Sequence, residues 1–147
     1  MAGNSGDRCG TGPYSTEGIA WGIANLRYRY HTYELGSHDI HVRALRDKQQ
    51  FEDDAGTAAA VGISSAEWPI FGVVWAAGQT LARLMVDYDI KGLRVLEVGC
   101  GVALTSLVLN ERDCDITATD LHPRAGVFLR HNAALNDAAE IPFEQTG

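Results

Sequence analysis

A short apolar run, Leu93 to Val98, opens directly into Gly99-Cys100-Gly101, and a second run rich in β-branched residues, Ile116, Thr117 and Thr119, ends on Asp120. That order of text constrains the fold more than anything else in the chain. Leu93, Val95, Leu96 and Val98, interrupted by Arg94 and Glu97, fit a buried parallel strand. The two glycines allow a turn that side chains would block, and Ala103 to Arg112 is long enough for a short helix. Asp115 to Thr119 then reads as the next strand. Pro123 suits the first turn of a further helix reaching Leu135, and Ile141 to Phe143 begins a third strand. Strand, helix, strand, helix, strand is the signature of an α/β fold with a parallel sheet and helical crossovers.

Upstream the text changes. Tyr28, Tyr30 and Thr32 alternate, Ile40 and Val42 alternate, and Gly36-Ser37 lies between them, which predicts a small β-hairpin from Leu26 to Leu45. Residues 1–25 hold Gly3, Gly6, Gly10, Gly12 and Gly18 among small polar residues and are expected to be a flexible leader. Arg46 to Gly62 has no sustained period and reads as an exposed connection. After Trp68-Pro69, the residues Leu81, Leu84, Met85 and Tyr88 recur at helical spacing, predicting a helix from Trp75 to Tyr88. The chain therefore divides into a leader (1–25), a hairpin with its connection (26–67) and a partial α/β domain (68–147).

Charge and cysteine usage exclude several function classes. Twelve Lys and Arg against nineteen Asp and Glu give a net charge of −7, the wrong sign for neutralising nucleic-acid phosphates. No run approaches the roughly 18 apolar residues of a membrane span, and the first residues lack the apolar stretch of a secretory signal, so a cytoplasmic protein is expected. Cys9, Cys100 and Cys114 form no C-x-x-C pair, so reduced thiols are expected, and neither a disulfide scaffold nor a zinc knuckle. His38 and His41 would point to opposite faces of a strand, so with His31 and Asp39 they read as polar hairpin positions and no metal is expected. Tyr28, Tyr30 and Tyr33 read as packing residues, and Arg124 and Arg130 as a solvated helix face.

The chemistry lies in Glu97-Val98-Gly99-Cys100-Gly101-Val102-Ala103 and in Asp120. A turn without side chains lets a nucleotide-like ligand approach the backbone, and an acid ending the next strand can accept hydrogen bonds from both ribose hydroxyls. The dinucleotide frame G-x-G-x-x-G fails here, because its last position is Leu104. The frame that fits is acid, x, Gly, x, Gly, x, small, filled by Glu97, Gly99, Gly101 and Ala103. It resembles motif I of S-adenosyl-L-methionine-dependent methyltransferases with the seven-strand Rossmann-like fold, with Ala103 where that motif most often has a third glycine.

The segment Gly72-Val73-Val74-Trp75-Ala76-Ala77-Gly78-Gln79-Thr80-Leu81-Ala82-Arg83-Leu84 is similar to a block of the lysine methyltransferase-like family, which includes the enzyme acting on the electron-transfer flavoprotein β-subunit. Asp120-Leu121-His122-Pro123, Asn132 and Asn136 are similar to it as well. The resemblance spans about Trp68 to Asn136, and it implies a Rossmann-like methyltransferase fold, S-adenosyl-L-methionine as cofactor and a protein lysine as acceptor. It also implies that Trp75 lies against the cofactor and that Glu97 acts on its methionine end or orients the loop. Cys100 and Leu121, beside Gly99, Gly101 and Asp120, complete the expected cofactor contacts; as a thiol, Cys100 has no base beside it and reads as a bystander.

Forty-nine residues follow Val98, room for a helix, a strand, a second helix and the start of another strand. The family's acidic motif after its fourth strand is not expected here, and no residue is assigned to the acceptor side. The sheet order implied by the family leaves the edge of the first strand unpaired, so a truncated product, a fragment or a half completed by a partner or oligomer is expected. A non-catalytic methyltransferase-like binding or regulatory module, a small-molecule N-methyltransferase and a nucleotide-dependent oxidoreductase are the other readings open at this point.

Overall fold

The computed structural model describes residues 26–146. The segment expected to be a flexible leader lies outside the described residues. Among the described residues there are two sheets, an antiparallel pair and a three-stranded parallel sheet. The hairpin consists of β1 (Tyr28–Leu35) and β2 (His38–Leu45), in register from Tyr28 opposite Leu45 to Leu35 opposite His38. Its two-residue turn is made possible by Gly36, at φ +64°. Ile40 and Val42 alternate inward and join the buried core.

The connection that follows is mostly exposed, as its composition implies, but it is held by specific bonds. Asp53 accepts the backbone N–H groups of Ala58 and Ala59 and the hydroxyl of Thr57, closing a compact turn, and Glu52 and Ala58 are buried. A 3₁₀ turn over Trp68–Gly72 carries Trp68 and Phe71 into the core, where their rings meet edge-on. Helix α1 (Ala76–Asp87) begins only after an extended stretch, with Val73 at φ −115° and ψ 139°. Residues Trp68–Asp87 are together long and apolar enough to span a membrane by composition, which corrects the reading that no run approaches that length. They form two pieces separated by this extended break.

Parallel strands β3 (Arg94–Val98), β4 (Asp115–Asp120) and β5 (Phe143–Gln145) lie in that order, linked by α2 (Leu104–Glu111) and α3 (Ala125–Leu135). Helix α3 starts after Pro123, which lies in the turn before it and not in its first turn. On one face of the sheet α2 and α3 pack against β4, and Leu107, Val108, Ile116, Ala118, Phe128 and Leu129 are buried. The other face of β3 has no covering layer among the described residues. Leu96 is 58% and Val98 78% exposed, so the strand that reads as buried is open on one face and forms the sheet's edge. The sequence pattern of a two-sided strand is present; the second layer that such a pattern serves is not found among the described residues.

The hairpin docks on α3 through two asparagines that imitate a neighbouring strand. The Asn132 side-chain oxygen accepts the Arg43 N–H at 2.8 Å, and its amide nitrogen donates to the Arg43 carbonyl at 3.1 Å. Asn136 repeats the pattern with His41, at 2.7 Å for each bond. The spacing explains the match: residues two apart on a strand are about 6.7 Å apart, and residues four apart on a helix rise about 6 Å.

Candidate functional site

A cleft of about 640 Å³ opens at the C-terminal ends of β3 and β4, between the loop Gly99–Ala103 and the segment that carries Ile63, Phe71, Trp75 and Leu81. In open parallel sheets this is where ligands bind. Trp75, Glu97, Gly99, Cys100, Gly101, Asp120 and Leu121 all line it.

The loop is built from left-handed residues: Gly99 at φ +68°, Gly101 at +54° and Ala103 at +67°. The glycines serve different ends. A side chain at Gly99 would meet nothing within 4 Å, so its bare face opens on the cleft. A Cβ at Gly101 would lie 2.6 Å from the Phe71 carbonyl oxygen, so that glycine permits the close approach of the 3₁₀ turn. Ala103 adopts the conformation that a third glycine would adopt at lower cost.

Glu97 explains how this loop turns into a helix. Ala103 at the start of α2 supplies no side-chain cap. The Glu97 carboxylate reaches across instead, accepting the Ser106 N–H at 2.9 Å and the Ser106 hydroxyl. Ser106 is the third residue of α2, one of the positions whose N–H has no partner inside the helix. Burial pushes the Glu97 carboxyl up from its ordinary range and the charge of Asp120 adds to this, while the bonds from Ser106 and Thr105 pull the other way. An acid within a parallel strand thus has its partner at a helix N-terminus.

Asp120 closes the opposite side. One carboxylate oxygen accepts the Gly101 N–H at 2.8 Å and the other accepts the His122 N–H at 2.8 Å. Each oxygen keeps a further acceptor direction for a ligand hydroxyl. Trp75 is 45% exposed; its indole N–H donates to the Ile70 carbonyl at 3.0 Å, which sets the ring's angle, and Lys48 Nζ lies 4.9 Å from the ring centroid. Leu121 is exposed at the rim. Cys100 is buried, and desolvation and the nearby Glu97 and Asp120 charges hold its thiol protonated. A protonated, buried thiol is a poor nucleophile.

Sequence reasoning missed His122, Phe71 and Thr105, which also line the cleft. His122 is buried, stacks on Phe71 at 3.8 Å between centroids and accepts the Arg124 N–H through Nδ1. Desolvation, assisted by the Arg124 charge, lowers its pKa to about 4. The adjacent Arg124 is not a solvated residue: it is half-buried, reaches Glu52 at 3.4 Å and lies over the Trp68 ring. His38 and His41 point to opposite faces of β2, one beside Glu111 and the other bonded to Thr32. No cluster of metal-binding side chains occurs among the described residues. Glu67, Glu97 and Asp120 line the cleft, and no Lys or Arg does so among the described residues. No model of a known protein family matches the chain.

Proposed function

We propose that this cleft binds S-adenosyl-L-methionine and that the chain holds this cofactor as a methyltransferase of the lysine methyltransferase-like kind, acting on a protein lysine. The observation that carries the reading is Glu97 seated at the N-terminus of α2. A dinucleotide-binding loop keeps that helix end free for a pyrophosphate. Here the position already holds a carboxylate, and the cleft lining adds Glu67 and Asp120 with no basic residue among the described residues. A phosphate would meet like charge. A ligand carrying a ribose, an adenine and a cationic centre suits these groups, since Asp120 accepts from hydroxyls and the lining carboxylates favour positive charge.

In this reading Gly99 lets the ligand approach the backbone, Asp120 holds the ribose hydroxyls, and Trp75 and Leu121 wall the pocket. Glu97 acts indirectly by fixing the loop against α2. The cofactor, when bound, supplies an activated methyl group. The protein's share is orientation and exclusion of water around an uncharged amine.

Titration of the chain with S-adenosylhomocysteine, alongside Asp120→Asn, tests the assignment. Loss of one charged acceptor is expected to weaken binding about tenfold or more. Unchanged affinity in a folded Asp120→Asn chain would remove Asp120 from the site.

A further inference from the structure

We infer that Asn132 is a positioning residue for the cofactor loop, tying that loop to the N-terminal hairpin. The inference rests on the cofactor reading above. Asn132 lies on α3, outside the cleft, and is fully buried. Its side-chain oxygen accepts the Arg43 N–H, and its amide nitrogen donates both to the Arg43 carbonyl at 3.1 Å and to the Val102 carbonyl at 2.9 Å. The Arg43 N–H requires an acceptor, which fixes the amide's orientation and directs both of its hydrogens at carbonyls. Every bonding group of this side chain is therefore used.

Val102 follows Gly101 and precedes Ala103, both in the left-handed region. The same few residues are held from the cleft side by Asp120 through the Gly101 N–H and, one helical turn on, by Glu97 through the Ser106 N–H. Asn132 is the anchor from behind, at the point where the loop turns into α2. Because that anchor also pairs with Arg43, the hairpin is part of the scaffold that sets the loop's shape. It gives residues 26–45 a function that their own composition does not reveal.

The fold supplies an internal control. Asn136 makes the same strand-like pair with His41 and also donates to the Asn132 carbonyl, but it makes no bond to the loop. Asn132→Ala and Asn136→Ala thus remove comparable hairpin bonds, and only the first frees Val102. In the full chain, hydrogen exchange at the Gly101 and Ala103 amides is expected to quicken about tenfold in Asn132→Ala and to stay within about twofold of the unmutated rate in Asn136→Ala. S-adenosylhomocysteine affinity should fall about tenfold in the first and hold in the second. Equal changes in both variants, or none in Asn132→Ala, would overturn the inference.

If Asn132→Ala does not fold, the unmutated chain decides by NMR of the two side-chain amides. The Asn132 amide resonances should shift on adding S-adenosylhomocysteine while those of Asn136 hold still; any other pattern counts against the inference. If the unmutated chain binds no S-adenosylhomocysteine, the cofactor reading fails, and the exchange comparison still decides whether Asn132 positions the loop.

Discussion

Replacing Glu97 with alanine sets two opposing terms against each other, and the structure indicates which is larger. The carboxylate caps α2, and loss of a helix cap costs about 1 kcal/mol. Ser106 is fully buried, so its N–H would be left without water or protein as acceptor, and its hydroxyl loses its partner too, which brings the whole loss to about 2–3 kcal/mol. Against this, the site holds Glu97 in a setting that disfavours its charge, and removing the charge relieves that. The bonds from Ser106 and Thr105 offset part of the desolvation, so the capping loss is expected to win by about 2 kcal/mol. Glu97→Gln keeps an acceptor oxygen for the Ser106 N–H without the charge and should lose less than about 1 kcal/mol. Urea unfolding at pH 7, followed by circular dichroism, reads this as a midpoint about 1 M lower for Glu97→Ala at unchanged slope. A midpoint that holds or rises would show that burial of the charge outweighs its bonds. Equal losses for alanine and glutamine would show that charge, and not the acceptor, holds the helix end.

Two further outcomes follow from the same geometry. Gly99→Ala meets only the cost of a left-handed alanine, about 1 kcal/mol, whereas Gly101→Ala adds a Cβ against the Phe71 carbonyl and should cost about 2–4 kcal/mol; thermal melts of the two variants should differ accordingly. His122 has its pKa lowered to about 4 in the folded chain against an ordinary 6.5, so the unfolded chain binds the extra proton between those values. Its share of stability is complete above pH 6.5 and is lost as pH falls through about 4, roughly 3 kcal/mol in all. The stability difference between the unmutated chain and His122→Asn should shrink by about that amount from pH 7 to pH 4, with the opposite contribution of Glu97 common to both; a constant difference would refute the burial argument.

Local patterns were legible in the sequence where neighbours along the chain decide the structure. Alternation around Gly36-Ser37 gave the hairpin, and the glycine turn between β3 and α2 follows from Gly99 and Gly101, at left-handed positions that only glycine fills without strain. Pro123 misled by two residues, since a residue fit to begin a helix can also stand before it. What stayed hidden depends on partners far away in the chain. Arg124 reads as a surface residue until Glu52 and Trp68 are beside it. His122 becomes a buried neutral ring only against Phe71 and Trp68. Asn132 carries part of the family resemblance but its role is not legible, because its bonds reach back 30 and 89 positions. The apolar text of β3 describes a strand with two covered faces, and no local rule states whether the second cover lies in the same chain.

The most direct test of the central claim is calorimetric titration of the folded chain with S-adenosylhomocysteine and, in parallel, with a nicotinamide dinucleotide. Saturable one-site binding of the first and none of the second is expected, because Glu97 holds the helix end that a pyrophosphate would need. Binding of the dinucleotide, or of neither ligand by a chain whose circular dichroism shows it folded, would contradict that claim.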